Sequence, residues 1–448
     1  MSAIARWFNH IGIPVYGYDK TESPLTLLLS KEGMLISYVD EVDNLFEELM
    51  LQPDQTLVIW TPAIPKDSRL LAYFRENGFT LKKRSEVLGI ITSSMFAIAV
   101  AGTHGKTTTS SMVAHLLKSA GRNIVGFLGG VTQNYGSNLI LHDEQAEEKP
   151  IVVVEADEFD RSFLQLHPNI GIVTSVDPDH LDIYGDAMNL KKGFEEFIGL
   201  INKGGRLFIQ KNALEKLDTG GFDGLSHTSY GISAGEIKAD NIKAGIASFE
   251  FDYVSPAQLF TQLVLNVPGF HNVENALSAI AVCLLLGLSE QDIRRGLMSY
   301  KGVKRRFEIL HQEEGLIYID DYAHHPEEIS AFLRSVKAMY PNHKLTAVFQ
   351  PHLYTRTRDF AAGFSESLSL ADEVVLLDIY PARELPIAGV SAEMLLDDIT
   401  SANKSVQKKE DLLVYLETSP PEVLVTIGAG DIDRLVTPIA NWIKSYGK

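Results

Sequence analysis

The sequence predicts an α/β protein built from three domains in series. Short apolar runs that suit buried strands alternate with helical patterns along most of the chain, as is typical of parallel α/β sheets. A length of 448 residues exceeds what one hydrophobic core usually supports. A content of 45% hydrophobic and 22% charged residues is that of a folded globular protein. We place the three domains at 1–92, 93–302 and 303–448.

The first domain is expected to be Rossmann-like, with its first strand missing from the sequence. Its patterns predict helices over 2–9 and 24–31 and strands over 14–18 and 56–60. The chain begins directly with the first of these helices, and no strand or glycine turn precedes it.

The second domain begins with the apolar run Met95–Val100, which suits a central parallel strand. A glycine loop follows, and then a helix from about Thr107 to Ser119. Further strands are predicted at 151–154, at 170–174 and, in antiparallel form, within 205–265.

The third domain is predicted to be a second Rossmann-like unit, because strands and helical segments alternate again. Its predicted strands are 316–320, 345–349, 373–377 and 423–427.

Charge and cysteine content exclude several classes of protein. A net charge of −18 argues against nucleic-acid binding, because no excess of Lys and Arg exists to neutralise phosphates.

The longest apolar run, Ala279–Leu288, is about half as long as a membrane span, and no export signal is recognisable. The one cysteine, Cys283, excludes an intrachain disulfide and fits a reducing compartment. We therefore expect a cytoplasmic protein without membrane insertion, and the sequence leaves its oligomeric state open.

The strongest chemical signal is a glycine loop between a predicted strand and a predicted helix. Backbone amides in such a loop point at phosphate oxygens, and the helix dipole adds to the attraction. Lys106 is expected to reach the outer phosphates of ATP, and the Thr107 hydroxyl to ligate Mg²⁺. A standard Walker loop has a glycine where this sequence has Val100, so a tighter loop is predicted. The loop consists of Gly102, Thr103, His104, Gly105, Lys106, Thr107 and Thr108.

Acidic residues follow the next two predicted strands. Ligands collect at the carboxyl ends of strands in an α/β sheet, and carboxylate oxygens suit Mg²⁺. We expect Glu155 to hold the metal, although an exposed acidic turn is the alternative. After the next strand, His180 lies between Asp179 and Asp182 and is expected to ligate a cation or contact the transferred phosphoryl group.

Two further places carry polar groups suited to a nucleotide. Asn272 and Asn275 stand one turn apart at the start of an apolar helix that is predicted to continue to Leu288. Their amides suit a base or ribose, although helix capping explains Asn272 equally well. Arg305 belongs to the basic cluster 304–306. These side chains are either an ordinary solvated group or contact the ATP phosphates when the domains close.

Polar clusters also follow two consecutive strands of the third domain, at 320–326 and 350–358. Such clusters lie along one edge of a parallel sheet. Arg356 in the second cluster suits bidentate binding of a carboxylate or phosphate.

Taken together, these motifs resemble the Mur ligase family of peptidoglycan synthesis. The clusters at 320–326 and 350–358 are most similar to the member that joins L-alanine to UDP-N-acetylmuramate, and the resemblance covers nearly the whole chain. The other motifs occur in the family's order and approximate spacing: 102–108, 155–158, 179–182, 271–275 and 305–307.

The resemblance implies a domain for the UDP-sugar, a central ATPase domain and a C-terminal domain for the amino acid. It also implies that the lactyl carboxylate of UDP-N-acetylmuramate takes the γ-phosphoryl group of ATP, and that the amine of L-alanine then displaces phosphate. On this basis His324 and Arg356 are expected on the amino-acid side, and His180 near a second cation. Asp19 and Thr61 are expected near the uridine diphosphate.

The sequence departs from the family in three respects. The family normally begins with a strand and glycine-rich turn before the sequence matching Met1, and we expect that the start codon has been assigned too late. Position 353 is Leu where many relatives have arginine. Phe194 stands where several members carry a carbamylated lysine, so no carbamylation is predicted.

Four other functions are compatible with parts of the sequence. A murein-recycling ligase would add a tripeptide to the same nucleotide sugar. An inactive ligase would have lost its sugar site with the first strand. A nucleotide-binding regulator or motor without ligase chemistry would not need the polar edge of the third domain. A dehydrogenase is disfavoured because no Gly-x-Gly-x-x-Gly turn follows a strand near the start.

Overall fold

The computed structural model describes residues 1–44, 52–62, 64–65, 67–178, 184–222, 224–313, 315–382 and 384–446. The chain forms two compact units, one of residues 1–131 and 135–229 and the other of residues 132–134 and 230–448. Both are α/β in character, which confirms the predicted class.

The first unit contains the predicted P-loop and the strands around it. Its helices are α1 (Ser2–His10), α2 (Pro24–Lys31), α3 (Arg69–Glu76), α4 (Arg84–Ser93), α5 (Lys106–Ser119), α6 (Ala187–Gly199) and α7 (Lys211–Lys216). Its strands are β1 (Tyr16–Tyr18), β2 (Leu35–Ser37), β3 (Leu57–Trp60), β4 (Thr80–Lys83), β5 (Phe96–Ala101), β6 (Ile124–Thr132), β7 (Ser137–Ile140), β8 (Ile151–Glu155), β9 (Ile170–Val173) and β10 (Arg206–Gln210), with β11 (Ser226–Gly231) at its boundary.

Strand β5 lies at the centre of the main sheet of this unit, in the order β10-β9-β5-β8-β6-β7. It runs parallel to both β8 and β9. Its residues Ala97–Ala101 are almost completely buried, as expected for a strand covered on both faces. Two separate parallel pairs, β1 with β2 and β3 with β4, come from the first hundred residues.

The second unit contains a six-stranded sheet in the order β15-β16-β20-β17-β18-β19, in which only β15 is antiparallel to its neighbour. These strands are β15 (Glu308–Glu313), β16 (Leu316–Asp321), β17 (Leu345–Phe349), β18 (Glu373–Leu377), β19 (Asn403–Gln407) and β20 (Val423–Ile427). A smaller antiparallel set comprises β12 (Ile237–Ala244), β13 (Phe249–Val254) and β14 (Leu259–Leu265), as the sequence predicts.

The helices of the second unit are α8 (Phe270–Leu285), α9 (Glu290–Ser299), α10 (Pro326–Met339), α11 (Tyr354–Asp359), α12 (Ala361–Leu368), α13 (Glu393–Leu396), α14 (Leu412–Thr418) and α15 (Asp433–Tyr446). The prediction that the apolar helix continues to Leu288 is wrong, because α8 ends at Leu285. Gly287 adopts a positive φ of 84°, a conformation that ends a helix.

Candidate functional site

The predicted P-loop follows β5, between the carboxyl ends of β8 and β9. Glu155 is the last residue of β8, and Thr174 comes directly after β9. Val100 remains inside β5 and pairs with Glu155 on one side and Ile172 on the other. The strand therefore extends through the place of the first Walker glycine, which explains the tighter loop.

Gly102 and Gly105 give the loop its shape. Gly102 has a φ of 144°, and a β-carbon on it would lie 2.0 Å from Thr174 Oγ1. Gly105 precedes α5 with a left-handed φ of 81°. Both conformations favour glycine over any residue with a side chain.

The middle of the loop is bonded to the end of β9 through Ser175. The Thr103 and Ser175 hydroxyls lie 2.9 Å apart, and the His104 amide donates to Ser175 Oγ at 2.7 Å. The Asp177 amide donates to Thr103 Oγ1 at 3.0 Å. These polar groups of Thr103 and His104 thus hold the loop in place.

Lys106 extends back across the loop. Its Nζ donates to the Gly102 carbonyl at 2.6 Å and to Glu158 Oε1 at 2.9 Å. Burial by itself lowers the pKa of Lys106, but the carboxylates of Glu158, Glu155 and Asp157 outweigh that effect and the pKa is raised. The lysine is therefore a cation at neutral pH, as phosphate binding requires.

Glu155 and Thr107 are the oxygen donors expected to hold a metal. The Glu155 carboxylate accepts the Gly129 amide at 2.9 Å, and any side chain at position 129 would displace it, since a β-carbon there would lie 2.3 Å away. Thr107 and Thr108 lie in the first turn of α5 and are both buried. Hydroxyl and carboxylate oxygens are a donor set that fits Mg²⁺.

His180 lies outside the described residues, together with Asp179 and Asp182. The preceding Asp177 is described, and its carboxylate pairs with Lys216 Nζ at 2.5 Å. Its other oxygen lies 3.9 Å from His104 Nε2.

In the second unit, Asn272 and Asn275 lie in the first two turns of α8 and are buried. The Asn272 amide donates to the Pro268 carbonyl at 2.7 Å, and the Asn275 amide to Asn272 Oδ1 at 3.4 Å. The capping explanation for Asn272 is wrong, because Gly269 is the cap residue of this helix.

Arg305 has a specific partner in the second unit and is not part of a solvated cluster. Its Nε donates to Asp320 Oδ2 at 2.8 Å and its Nη2 to the Gly428 carbonyl at 2.8 Å. Asp320 has no solvent exposure and also accepts the Thr426 hydroxyl at 2.6 Å. The guanidinium group thus joins the ends of β16 and β20.

The carboxyl ends of β16, β17 and β18 bring aromatic and imidazole rings together. The His324 and His352 rings have centroids 6.3 Å apart, and His352 stacks on Tyr380 at 5.7 Å. His324 Nδ1 lies 3.4 Å from Glu328 Oε2. Arg356 follows in α11 and is largely buried. Leu353 precedes α11 with a φ of 70°.

Two residues that contact these strand ends, Asp431 and Lys409, are not predicted from the sequence, whereas their partner Gln350 belongs to the predicted cluster 350–358. Gln350 Nε2 donates to Asp431 Oδ1 at 2.8 Å, and Lys409 Nζ lies 2.6 Å from Asp431 Oδ2. The sequence does contain a feature that points to Asp431, because this acidic residue ends a glycine-containing turn directly after β20. No sequence pattern points to Lys409, because only the tertiary fold brings it next to Asp431.

Asp19 and Thr61 directly follow β1 and β3, and the side chain of Asp19 accepts the Thr21 amide at 3.1 Å. A cavity of about 560 Å³ opens beside the carboxyl ends of β3 and β4. Trp60, Arg75, Lys83 and Arg161 line part of it, and the cations of Arg75 and Lys83 lie 5.5 and 5.7 Å from the Trp60 ring centre.

Similarity to known proteins extends over this whole architecture. Residues 100–283 match the Mur ligase middle domain, and residues 305–430 match the Mur ligase glutamate ligase domain. The UDP-N-acetylmuramate–L-alanine ligase of Christiangramia forsetii is 45% identical over 98% of this chain and 94% of its own length. The chain belongs to the Mur ligase family. A Porphyromonas gingivalis ligase of the same name is 46% identical over 99% of this chain and 97% of its own.

Solved structures of Mur ligases share the fold. UDP-N-acetylmuramate-alanine ligase from Thermotoga maritima gives a TM-score of 0.82 at 29% identity and covers 100% of this chain and 97% of that one. A murein peptide ligase from Psychrobacter arcticus gives 0.66 at 23% identity, covering 98% and 96%. Among the described residues of this Mur ligase, no helix is long and apolar enough to cross a membrane.

Proposed function

We propose that this Mur ligase joins L-alanine to UDP-N-acetylmuramate at the expense of ATP, in the synthesis of peptidoglycan precursors. The observation that carries this proposal is full-length identity of 45–46% to proteins named UDP-N-acetylmuramate–L-alanine ligase. Likeness to the murein peptide ligase, at 23% identity, bears on the fold alone. The alanine ligase is therefore favoured over the tripeptide-adding ligase.

ATP is the phosphoryl donor in this proposal. Lys106, the loop from Gly102 to Gly105 and the first turn of α5 offer a cation, backbone amides and a helix N-terminus to its phosphates. We assign Asn272, Asn275 and Arg305 to ATP binding as well. Mg²⁺ would be held by Thr107 and Glu155, with His180 at a second cation, and would neutralise phosphate charge.

The reaction needs two displacements. A carboxylate oxygen of the sugar's lactyl group attacks the γ-phosphorus, the bond to the β-phosphate oxygen breaks, and ADP leaves. The amine of L-alanine then attacks the acyl carbon, and inorganic phosphate leaves as the amide forms and the amine loses a proton. Both steps depend mainly on positioning and charge neutralisation, because the substrates supply the reacting bonds.

His324 and Arg356 are our candidates for the amino-acid side. Arg356 is suited to the carboxylate of L-alanine, since its planar guanidinium can make two parallel hydrogen bonds. For His324, which lies near Glu328, we propose a contact with the amine or the acyl phosphate.

The nucleotide sugar is assigned to the strand ends of the first hundred residues. Asp19 and Thr61 are the candidate contacts with the uridine diphosphate. The cavity at the ends of β3 and β4 has neither of these two residues in its lining, but it combines a flat aromatic surface at Trp60 with the cations of Arg75 and Lys83 and with the carboxylates of Glu86 and Asp160. We retain the domain boundaries 1–92, 93–302 and 303–448 as part of the proposal, and place the reaction in the cytoplasm.

To test this proposal, the purified protein is incubated with ATP, Mg²⁺ and UDP-N-acetylmuramate. The amine added is either L-alanine or the tripeptide L-alanyl-γ-D-glutamyl-meso-diaminopimelate. Phosphate release and the mass of the product are measured together. Turnover with L-alanine is expected. Turnover with the tripeptide alone would assign the protein to recycling, and turnover with neither amine would remove the ligase proposal.

A further inference from the structure

Two histidines and a glutamate meet at the carboxyl end of α1, among residues that the proposed reaction does not use. His10 ends α1, and His142 and Glu144 lie in the segment after β7. The two imidazole centroids are 5.2 Å apart with nearly perpendicular planes, and His10 Nε2 lies 3.5 Å from Glu144 Oε1. Among the residues that the structure describes, this is the one group of three His, Cys, Asp or Glu whose ligand atoms all lie within 4.8 Å of one another.

One ring nitrogen of each histidine lacks the hydrogen bond that a buried polar atom normally makes. His10 Nε2 and His142 Nδ1 are shielded from solvent, and neither makes a hydrogen bond. The 3.5 Å between His10 Nε2 and Glu144 Oε1 is an ion-pair distance, longer than a normal N–H···O hydrogen bond. Buried nitrogens without partners are uncommon in native proteins, and a bound ion is one of the explanations for them.

The surroundings hold the rings in position. Trp7, one turn before His10 on the same helix, lies 5.2 Å from the His142 ring and 6.0 Å from Phe127. Trp7 is almost fully buried, so one wall of the group is fixed and apolar. The carboxyl end of a helix also favours a positive charge nearby.

Two imidazole nitrogens and one carboxylate oxygen are ligands typical of Zn²⁺, whereas Mg²⁺ prefers oxygen ligands alone. In a tetrahedral site with ligands at about 2.0–2.1 Å, neighbouring ligand atoms lie about 3.4 Å apart. The His10–Glu144 pair is already at this separation. We propose that His10, His142 and Glu144 bind one Zn²⁺ ion, which joins α1 to the segment after β7 and keeps its fourth position for water.

The first test titrates the full-length protein with Zn²⁺ by calorimetry, in an excess of Mg²⁺ that saturates oxygen-only sites. One equivalent is expected to bind. His10→Ala and Glu144→Gln are each expected to weaken that binding by at least about tenfold. Glu144 is exposed, so Glu144→Gln tests the site without disturbing the core. His343→Ala, which removes an exposed histidine of the other unit, is the control and should bind as the wild type does.

The second test replaces Zn²⁺ by Co²⁺ and records the visible spectrum. A four-coordinate Co²⁺ site with nitrogen ligands absorbs visibly, and this band should be absent in His142→Ala and present in His343→Ala. The proposal is overturned if the wild type binds no stoichiometric Zn²⁺, or if His10→Ala and Glu144→Gln bind it unchanged. The proposal is also overturned if Glu155→Gln loses Zn²⁺ binding while His10→Ala and Glu144→Gln keep it, because the ion would then bind at the end of β8.

Discussion

The ammonium nitrogen of Lys106 lies 2.9 Å from one carboxylate oxygen of Glu158 and 2.8 Å from the other, and the Glu158 side chain has no solvent exposure. Burial raises the pKa of Glu158, while Lys106 acts in the opposite direction. The cation of the P-loop is therefore held in position by a protein carboxylate, so ordering it for a phosphate costs little additional entropy.

Lys106→Ala is expected to reduce ligase turnover by at least about a thousandfold, because it removes the positive charge that we propose acts on the transferred phosphoryl group. The fold should persist, since Glu158 can take up a proton when its partner is removed. Phosphate release and thermal unfolding are measured on the same preparation. Lys211→Ala, which removes a lysine from a surface pair with Glu215, is the matched control. Near-normal product formation by Lys106→Ala would remove the P-loop from the mechanism.

Gly102→Ala is expected to abolish measurable ATP binding and to cost about 2–4 kcal/mol of stability. Its φ of 144° disfavours any side chain, and the new methyl group would lie 2.0 Å from Thr174 Oγ1. Calorimetric ATP titration and urea unfolding measure the two effects. Gly199→Ala is the control, because a β-carbon at the end of α6 meets nothing within 4 Å. Equal ATP affinity in the two variants would contradict the inferred loop geometry.

The strands that the sequence predicts well are those buried on both faces. β17, β18 and β20 have the predicted bounds, and β5 is displaced by one residue. β15 and β19 are not predicted, because both lie at sheet edges and carry several polar side chains on partly exposed faces. Apolar periodicity reports burial, so an edge strand gives a weak signal.

The same limit applies to the candidate site. The position of the P-loop follows from local sequence, because strand, glycines and helix are adjacent. The residues that hold it, Ser175 and Glu158, lie just after the neighbouring strands β9 and β8, so their contacts with the loop depend on the order of the strands in the sheet. Asn272 shows a second limit of sequence analysis. Its side-chain amide suits a nucleotide, but in the structure it donates to the nearby Pro268 carbonyl, a local contact that the sequence pattern does not distinguish from ligand binding.

His271→Phe is expected to make the protein less sensitive to acid. Burial lowers the pKa of His271 to about 4, with Arg306 acting in the same direction and Glu328 against it. Between pH 6.5 and 4 the unfolded chain thus binds a proton that the folded chain does not, and stability falls as the pH falls. Between pH 7 and pH 5 the protonation of this histidine in the unfolded chain should lower the free energy of unfolding of the wild type by about 2 kcal/mol, and His271→Phe should not show this decrease.

Urea unfolding at both pH values measures the difference between wild type and His271→Phe. His343→Phe, at an exposed histidine, serves as the control and should keep the acid sensitivity of the wild type. An unchanged pH dependence in His271→Phe would mean that the buried ring is not neutral at pH 7.

Arg356→Lys is expected to raise the KM for L-alanine at least about tenfold while changing kcat little. A lysine keeps the charge but cannot make two parallel hydrogen bonds to a carboxylate. Arg358 offers a matched control on the same helix, because its side chain is 51% exposed and pairs with Asp359, whereas Arg356 is buried. Arg358→Lys should leave both constants near those of the wild type. A fall in kcat with an unchanged KM for L-alanine would place Arg356 at the acyl phosphate instead, because only a contact made in the transition state lowers kcat in that way.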